Sequence, residues 1–434
     1  MIEGRTYDRR AVFAWSMYDF ANSAFNTLVV TFIYGTYFTK VIASNVNTGT
    51  LLWSRAVAVT AITVALLSPI MGAIADRGGY RKRLLLLMTL LSVLGSVMLY
   101  TALPGQTTKA LLWFVMANIA FEMGTVFYNA FLPDIAPAEK IGRISGYGWS
   151  LGYVGGLAAM SIAFVGFVNP EVPWFGLSLE SGQNVRATNL LVALWFAVFS
   201  LPIFLWVKED KFTPSTTLRS TIGAGIKQVM ETFHEIRKYK QLVRLLLARM
   251  FYNDGLVTIF AFGGIYAAGT FGFSLDEVII FGIVLNVAAA FGAFVFGFLD
   301  DIIGGKKTIQ ISVVGLALAS IIAVFARSRA VFWLAAVLIG ILSGPNQAAS
   351  RSLMARFVPS KKENQFFGFF AFSGKATAFL GPLLMGQLTD IFQTQRAGIS
   401  IVIPFFVVGS LILTTVNEKE GVKIAGRALE PSKD

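Results

Sequence analysis

Apolar runs of about 20 residues recur along this whole chain. An α-helix needs about 20 residues to cross ~30 Å of hydrocarbon, where every backbone polar group must be satisfied internally. The composition agrees, because 55% of the 434 residues are apolar and 14% are charged, more apolar side chains than a water-soluble core of this size can hold. We predict an all-α membrane protein with twelve transmembrane helices, near residues 11–38, 54–75, 84–102, 110–131, 144–168, 189–207, 244–268, 277–299, 309–326, 330–350, 366–388 and 398–416.

Lys and Arg are distributed unequally between the two sides of the predicted bundle. Of the 36 Lys and Arg residues, 26 fall on the side of both termini, 7 on the other side and 3 within spans. Basic residues accumulate on the cytoplasmic side of membrane proteins. We therefore expect an integral protein of the cell (cytoplasmic) membrane with both termini in the cytoplasm. The net charge of +12 then indicates no nucleic-acid partner, and the basic segment at 80–83 is expected to contact anionic membrane lipids.

Residue types that metal binding and catalysis commonly use are rare or absent in this sequence. The chain has no cysteine and one histidine, His234, which excludes disulfides, a His-rich metal site and a His-based catalytic triad in the membrane. The segment 368–377 resembles a phosphate-binding loop, but five residues separate its glycines and Ala376 stands where Ser or Thr is required. We expect a protein that is not an enzyme and has no cofactor and no metal.

The two halves of the chain repeat each other. "GAIADRGGYRKR" after span two is matched 225 residues later by "GFLDDIIGGKK", and "PAEKIGRISGYGWSLGYVGG" is matched 222 residues later by "PSKKENQFFGFFAFSGKATA". The repeat predicts two pseudo-symmetric six-helix halves, 1–207 and 244–434, joined by a cytoplasmic linker, 208–243, with an amphipathic helix in residues 226–243. Duplicated halves favour a binding site near the midplane between them, with alternating access by rocking.

Four stretches of the sequence resemble a known family. The loop from Gly72 to Gly79, GAIADRGG, is similar to the signature loop of the major facilitator superfamily, and it follows span two as that loop does. Within this superfamily, "YDFANSAF", "YNAFLPDIA" and "GPNQAASRSLMARFVP" resemble the vacuole-effluxer-like family, whose fungal members export amino acids from the vacuole during autophagy. The resemblance covers essentially the whole chain and implies the major facilitator fold and a protein that we expect to be a monomer.

The resemblance also implies a gate at the cytoplasmic side. It places Asp76 and Asp301 near the cytoplasmic N-termini of spans eleven and five. A carboxylate there meets the positive end of a helix dipole and forms a latch that must release for inward opening. We assign Arg77 and Arg81, in the same loop as Asp76, to this gate.

Polar residues in spans one, four and ten recur at intervals of three and four, which places each set on one helical face. Asp254 of span seven occupies the place equivalent to Asp19, and Lys375 lies about as deep in span eleven. We expect the polar sets to line the central cavity with these two residues; for the neutral residues, hydrogen bonding that only holds the helices together is an equal alternative. The sets are Asp19, Asn22, Asn26, Asn118, Glu122, Asn129, Asn346 and Gln347.

Charges at mid-membrane cost roughly 3 kcal/mol each on insertion scales, so they must face water, pair or be neutralised. We expect Asp19 and Glu122 to gain and lose protons during the cycle, with Lys375 as the counter-charge across the cavity. A cavity of both signs suits a zwitterion. The sequence therefore predicts a proton-coupled secondary transporter that exports a small zwitterion, most simply an amino acid. Arg249 is shallower and is expected to face either the cavity or the cytoplasmic surface.

Small residues in span five form a further pattern. Gly148, Gly152 and Gly156 are four residues apart, and Gly374 begins the equivalent series in span eleven. Small residues at this interval allow close helix approach. We expect these faces to be sliding contacts between the two halves.

Two other functions fit the same fold. A Phe-rich cavity could admit an amphiphile such as a lysophospholipid or a drug instead of an amino acid. A membrane sensor or scaffold would keep the fold without transporting, although the intact Asp76 and Asp301 loops argue against a protein that does not cycle.

Overall fold

The computed structural model describes residues 8–209 and 218–426, so residues 210–217 of the predicted linker and both chain ends lie outside the described residues. Over these ranges the chain is helical and contains no strand. Eleven helices are long and apolar enough to cross a membrane by length and composition. A twelfth is made of the α-helix Arg9–Ala24, 16 residues, and the π-helix Phe25–Phe32, 8 residues, which follows without interruption. The prediction of an all-α protein with twelve spanning helices is confirmed.

The first six spanning helices form one half of the molecule. The helix Val46–Gly78 begins after Asn45, whose side chain accepts a hydrogen bond from the Thr48 N–H, and is followed by Gly79, whose φ of 61° is readily adopted by glycine. Shorter helical turns connect the spans at Tyr34–Tyr37, Phe38–Ile42, Leu132–Ile135, Ala138–Lys140, Phe164–Val168, Trp174–Gly176 and Glu180–Gly182. The six helices are α1 (Arg9–Ala24 and its continuation), α2 (Val46–Gly78), α3 (Arg81–Tyr100), α4 (Thr107–Asn129), α5 (Ile141–Ala163) and α6 (Gln183–Trp206).

The second half repeats this arrangement. The helix Leu275–Ile303 starts with a capping box between Ser274 and Glu277. The fifth spanning helix of this half is interrupted in the middle of the membrane, between Lys375 and Leu380. Short helices also occur at Ile236–Tyr239, Gln395–Ile399 and Glu418–Ile424. The spans are α7 (Lys240–Phe271), α8 (Leu275–Ile303), α9 (Gly305–Phe325), α10 (Arg329–Phe357), α11 (Glu363–Lys375 and Leu380–Phe392) and α12 (Val402–Thr414).

A carboxylate that follows the last helix of each half caps the third helix of that half. Glu209 accepts hydrogen bonds from the Lys82 N–H at 3.2 and 3.3 Å, and Glu418 accepts from the Gly305 and Lys306 N–H groups at 3.0 Å each. Burial raises the pKa of the Glu209 carboxyl above its ordinary value. Both carboxylates satisfy N–H groups that have no partner within the helix, so the two halves share a local device as well as a helix order.

The predicted amphipathic helix between the halves begins and ends earlier than expected. It spans Leu218–His234, and residues 240–243 already belong to α7. The helix packs against the bundle through a polar face: Gln228 Nε2 donates to Gln365 Oε1 at 2.8 Å, and Gln365 Nε2 donates to Thr232 Oγ1 at 3.0 Å. The connecting helix packs along α2 and is hydrogen-bonded to the start of α11, so it links these two helices.

The halves meet mainly where α2 packs on α11 and α5 packs on α8. Approach there is close enough that a Cβ on Gly72 would lie 2.2 Å from the Asn364 carbonyl oxygen, and one on Gly146 would lie 2.5 Å from the Ala293 carbonyl oxygen. In addition, Ser68 Oγ donates to the Gly368 carbonyl at 2.9 Å. Small residues at both contacts allow the backbones to touch.

The prediction that the glycines of α5 and Gly374 form sliding contacts between the halves is wrong for three of them. Gly152 and Gly156 face α1 of the same half: their nearest neighbours are Ser23 Oγ at 3.0 Å and Thr27 Oγ1 at 2.6 Å from an added Cβ. Gly374 likewise makes room for Arg249 of its own half. These glycines pack helices within a half, and the contact between halves uses the neighbouring face of α5.

Candidate functional site

One side of the molecule, which we call the terminal face, carries the described chain ends at Asp8 and Gly426 and the turns at Gly79 and Gly304. Here the Asp76 carboxylate accepts hydrogen bonds from the Asn364 N–H at 3.0 Å, from Asn364 Nδ2 at 2.7 Å and from the Gln365 N–H at 2.9 Å. These donors lie at the N-terminus of α11, so a carboxylate of one half meets the positive end of a helix of the other half.

Asp301 makes the corresponding contact from the second half to the first half. It accepts from the Gly142 N–H at 2.8 Å, the Arg143 N–H at 3.3 Å and Arg143 Nε at 2.5 Å, at the start of α5. Arg356 Nη2 lies 3.7 Å from the same carboxylate. The two carboxylates thus tie the halves together at the terminal face by a pseudo-symmetric pair of contacts, while their role as a gate stays a prediction.

The two arginines of the Asp76 loop contact other groups. Arg81 Nη1 lies 2.8 Å from Asp134 Oδ2 and donates to the Ala130 carbonyl at 2.5 Å, so it fixes the α4–α5 connection within one half. Arg77 Nη2 lies 3.9 Å from Glu231 of the connecting helix, and both side chains are about half exposed. Exposed pairs of this kind contribute little to stability.

A cavity of about 1930 Å³ opens on the terminal face and is lined by both halves. Its walls include Asp76, Glu139, Lys208, Asp301 and Lys307, but none of the charged residues of the mid-membrane region. The contacts of Asp76 and Asp301 separate this vestibule from the centre of the bundle.

Asp19 lies at the boundary between the halves and pairs with Arg351 of α10. Arg351 Nη1 donates to Asp19 Oδ2 at 2.8 Å and to Asn129 Oδ1 at 3.3 Å, its Nε donates to Ser145 Oγ at 3.0 Å, and its Nη2 donates to the Ser145 carbonyl at 2.8 Å. The Arg351 side chain is 3% exposed. One guanidinium of the second half therefore joins α1, α4 and α5 of the first half.

The surroundings of this guanidinium are built around its shape. It lies over the rings of Trp15, Trp149 and Tyr128 at 4.6, 5.5 and 5.7 Å, contacts that stabilise a desolvated cation. Gly148 provides the space, because a Cβ there would lie 2.5 Å from Asp19 Oδ2 and 2.7 Å from Arg351 Nη2. The expectation that Lys375 is the counter-charge of Asp19 is wrong, since this site is fully occupied by Arg351.

The second ion pair across the halves joins Glu122 of α4 to Lys375 of α11 at 2.5 Å. Their side chains are 19% and 31% exposed, so this pair is more accessible than the Asp19–Arg351 pair. In the described residues the hydrogen bonds between halves lie at the terminal face or mid-membrane, so none of them holds the halves together on the side away from the terminal face.

Asp254 and Arg249 of α7 lie near the interruption of α11. Asp254 is 1% exposed, accepts from Thr377 Oγ1 at 3.2 Å and, within the described residues, has no cation within 4 Å. Arg249 is also buried: its Nη1 donates to the Phe370 carbonyl at 2.8 Å and Ser373 Oγ at 3.0 Å, and its guanidinium lies 3.7 Å from the Phe370 ring centre. Arg249 therefore does not extend to the surface of the membrane.

The predicted neutral residues divide between the cavity and the packing of the helices. Asn129 contacts Arg351, Gln347 is partly buried and Asn26 is exposed. Asn22 and Asn118 are buried. Asn346 is fully buried and its Nδ2 donates to Ser312 Oγ of α9 at 3.2 Å, so the expectation that it lines the cavity is wrong and it holds helices together.

Sequence reasoning missed Arg351 as a site residue and missed the break in α11. Arg351 lies four residues after Gln347, on the face already singled out for its polar spacing, so the helical interval was a usable signal. For the break, Pro382 was a signal, because it cannot donate a backbone hydrogen bond and disfavours the helix just before it.

Comparisons with known proteins agree with this architecture. The chain is 28% identical over 418 residues to an uncharacterised MFS-type transporter, YxiO of Bacillus subtilis, covering 95% of this chain and 96% of that one. It is 22% identical to autophagy-related protein 22 of Yarrowia lipolytica, covering 82% and 73% of the two chains.

Solved structures share the fold. The fucose transporter FucP, in a structure described as its outward conformation, superimposes with a TM-score of 0.75 at 14% identity, covering 95% of this chain and 100% of that one. The proton:xylose symporter XylE gives 0.74 at 12% identity, covering 96% and 98%. These likenesses establish the major facilitator fold.

The family described as "Vacuole effluxer Atg22 like" matches residues 46–426. With the two six-helix halves and the charged residues at their boundary, this match shows that the chain is a transporter of the major facilitator superfamily and belongs to the Atg22-like vacuole effluxer family.

Proposed function

We propose that this protein is a proton-coupled secondary transporter that exports a small zwitterion, with an amino acid as the first candidate. The terminal face is then cytoplasmic, as the distribution of Lys and Arg between the loops predicts. The segments 1–207 and 244–434 move as units around the linker 208–243, and the substrate binds between them.

The observation that carries this proposal is the Glu122–Lys375 pair. It joins the halves at 2.5 Å at mid-membrane and remains partly accessible to solvent. A zwitterion that separates the pair offers its ammonium group to Glu122 and its carboxylate to Lys375, so neither buried charge is left alone. An ion of single charge would leave one partner uncompensated, which is costly in this environment. The site therefore selects for both charges together.

Alternating access then requires the halves to separate at the terminal face. The contacts of Asp76 and Asp301 at that face and the hydrogen bonds of Arg351 deeper in the membrane all cross the boundary between the halves, so each must break before the centre opens toward the cytoplasm. A ligand can drive such a change only by binding the two states unequally. Closure of Glu122 and Lys375 around the substrate supplies that difference.

Proton coupling follows from the same charges. A proton on Glu122 removes the charge that holds Lys375, and a proton on Asp19 weakens its bond to Arg351. In either case protonation and the contact between halves are linked. A gradient of protons can thus bias which side the site faces.

The test is counterflow of labelled solutes into proteoliposomes. Proteoliposomes that contain the wild-type protein and are loaded with an unlabelled amino acid mixture should accumulate a labelled amino acid. Accumulation should be faster with an imposed pH gradient than without one. Loss of a charge-assisted hydrogen bond costs about 1.5–3 kcal/mol, or roughly a 10- to 100-fold loss of affinity. Glu122→Gln and Lys375→Met should each show a loss of this size, while Lys40→Met, an exposed lysine far from the pair, should behave as wild type.

Two results would redirect the proposal. Transport that is equal in wild type and in Glu122→Gln would remove the pair from substrate binding. Accumulation of a labelled lysophospholipid but of no amino acid would replace the zwitterion with an amphiphile.

A further inference from the structure

The interruption of α11 leaves backbone carbonyls free inside the membrane region. A helix leaves its last four carbonyls without intrahelical donors, and the first segment of α11 ends at Lys375. The Ala376 N–H satisfies the Phe372 carbonyl at 2.9 Å, and Asn253 Nδ2 donates to the Gly374 carbonyl at 3.2 Å. Within the described residues, no hydrogen bond reaches the carbonyls of Ser373, Lys375 or Ala376.

The carboxylate of Asp254 lies beside this break. It is 1% exposed and its polar side-chain contact is Thr377, at 3.2 Å, which is inside the interruption. The preceding residue, Asn253, contacts Gly374 from the other side of the same break. The second segment of α11 closes the region, because a Cβ on Gly381 would lie 3.1 Å from the Asp254 carbonyl oxygen. The Asp254 carboxylate and the Thr377 hydroxyl therefore meet beside the break in α11, where backbone carbonyls lack donors.

The two nearby cations direct their hydrogen bonds to other groups. Arg249 donates to the Phe370 carbonyl and to Ser373 Oγ, and it stacks on the Phe370 ring. Lys375 pairs with Glu122. Among the described residues Asp254 forms no ion pair within 4 Å, and Arg249 interacts with it electrostatically only from beyond that distance. A buried carboxylate in this situation needs a cation or a proton to offset its desolvation.

We propose that Asp254, Thr377 and the carbonyls freed by the break in α11 form a binding site for Na⁺. Na⁺ is a hard cation, for which carboxylate, hydroxyl and carbonyl oxygens are the suitable ligands. The C-terminal end of a half-helix and its unwound carbonyls suit Na⁺ because the helix dipole is negative there. The site goes beyond the proposed function, since substrate binding at Glu122 and Lys375 does not require it.

The site also links cation binding to the shape of α11. Its ligands come from the end of the first segment, the interruption and α7, so an ion bound to them fixes the second segment, Leu380–Phe392, against α7. Lys375 is the last residue of the first segment and holds Glu122. Occupation of the Na⁺ site is therefore expected to position Lys375 for the substrate.

The experiment is thermal unfolding of the purified full-length protein in NaCl, KCl and choline chloride at constant ionic strength and at several pH values. We expect Na⁺ to raise Tm saturably above the values in choline and in K⁺. Asp254→Asn should abolish the Na⁺-dependent shift, and Thr377→Val should raise the Na⁺ concentration needed for half of it by about tenfold, the equivalent of about 1.4 kcal/mol. Asp390→Asn, an exposed carboxylate of the same helix, should keep the full shift.

Binding of ²²Na⁺ provides a second measurement, in case Asp254→Asn fails to fold; Thr377→Val then carries the test. The Na⁺ site is refuted if wild type shows no Na⁺-selective shift and binds no ²²Na⁺, or if Thr377→Val and Asp254→Asn respond as wild type. A shift that depends on pH and not on Na⁺ assigns Asp254 to a proton and also overturns the proposal. Lys375→Met separates the two proposals, because it should lose substrate counterflow and retain the Na⁺ shift.

Discussion

Arg351 is the residue whose loss should most change which side of the protein is open. Its guanidinium belongs to the second half, and its hydrogen bonds go to Asp19, Asn129 and Ser145 of the first half. The substitution Arg351→Met keeps an unbranched side chain of similar reach and removes all the donors. Because these bonds exist only while the halves are together at the terminal face, their loss destabilises that state specifically.

The magnitude follows from burial. Removing one partner of a buried ion pair costs about 3–5 kcal/mol. The lower end applies here, because the Asp19 side chain is 14% exposed and solvent can partly compensate it. About 3 kcal/mol corresponds to roughly a 100-fold shift of the equilibrium toward separation of the halves. Asp19→Asn keeps a hydrogen-bond acceptor for Arg351, so it should shift the equilibrium less, by about tenfold.

The absence of cysteine in the natural sequence makes the measurement direct. Ala138→Cys and Ser360→Cys place one label on each half at exposed positions of the vestibule. Spin-label distances in this pair report the separation of the halves at the terminal face. We expect a short distance in the parent, a longer one in Arg351→Met, and an intermediate population in Asp19→Asn.

A matched control separates gating from a general loss of stability. Arg186 is also buried, but it donates to the Tyr100 carbonyl within its own half. Arg186→Met should lower the thermal stability without lengthening the distance. The reasoning fails if Arg351→Met keeps the parent distance, or if Asp19→Asn and Arg351→Met contribute independently in the double variant, since a shared interaction must give non-additive effects.

Three further predictions use the same labelled pair. Gly148→Ala places a Cβ 2.5 Å from Asp19 Oδ2 and should lengthen the distance, whereas Gly152→Ala, whose nearest neighbour is Ser23 Oγ at 3.0 Å, should have a smaller effect; equal effects would contradict this. Gly72→Ala meets a backbone oxygen at 2.2 Å across the halves and should open the terminal face strongly, so an unchanged distance would refute the close approach. Asp301→Asn weakens charge-assisted bonds worth about 1.5–3 kcal/mol and should raise the population with the longer distance about tenfold; an unchanged distance would show that the carboxylate does not hold the gate.

The helix count and the duplication of the halves could be predicted from the sequence because both depend on local patterns. Apolar length identifies a span wherever it occurs, and two nearly equal offsets between repeated motifs, 225 and 222 residues, identify the halves. The same local reasoning placed Asp19, Glu122 and Lys375 at mid-membrane. Which of these charges pair was not predictable in the same way.

Pairing depends on how helices rotate against each other. Arg351 and Lys375 lie in the same half, yet Arg351 contacts Asp19 and Lys375 contacts Glu122. Periodicity shows which residues share a face of one helix, but it does not show which face of a distant helix lies opposite. The prediction of Lys375 in place of Arg351 as the partner of Asp19 is an error of this kind, and so is the misassigned face of α5.

The contacts of Asp76 and Asp301 have a consequence for how the family can change over time. Both carboxylates are held largely by main-chain N–H groups, at positions 142 and 143 and at 364 and 365. Every residue except proline supplies such a donor. A substitution at position 143 or 365 therefore keeps these backbone contacts, although it loses the Arg143 side-chain contact with Asp301 or the Gln365 contacts with the connecting helix. Proline removes the backbone contact itself and should be the least tolerated residue at both positions.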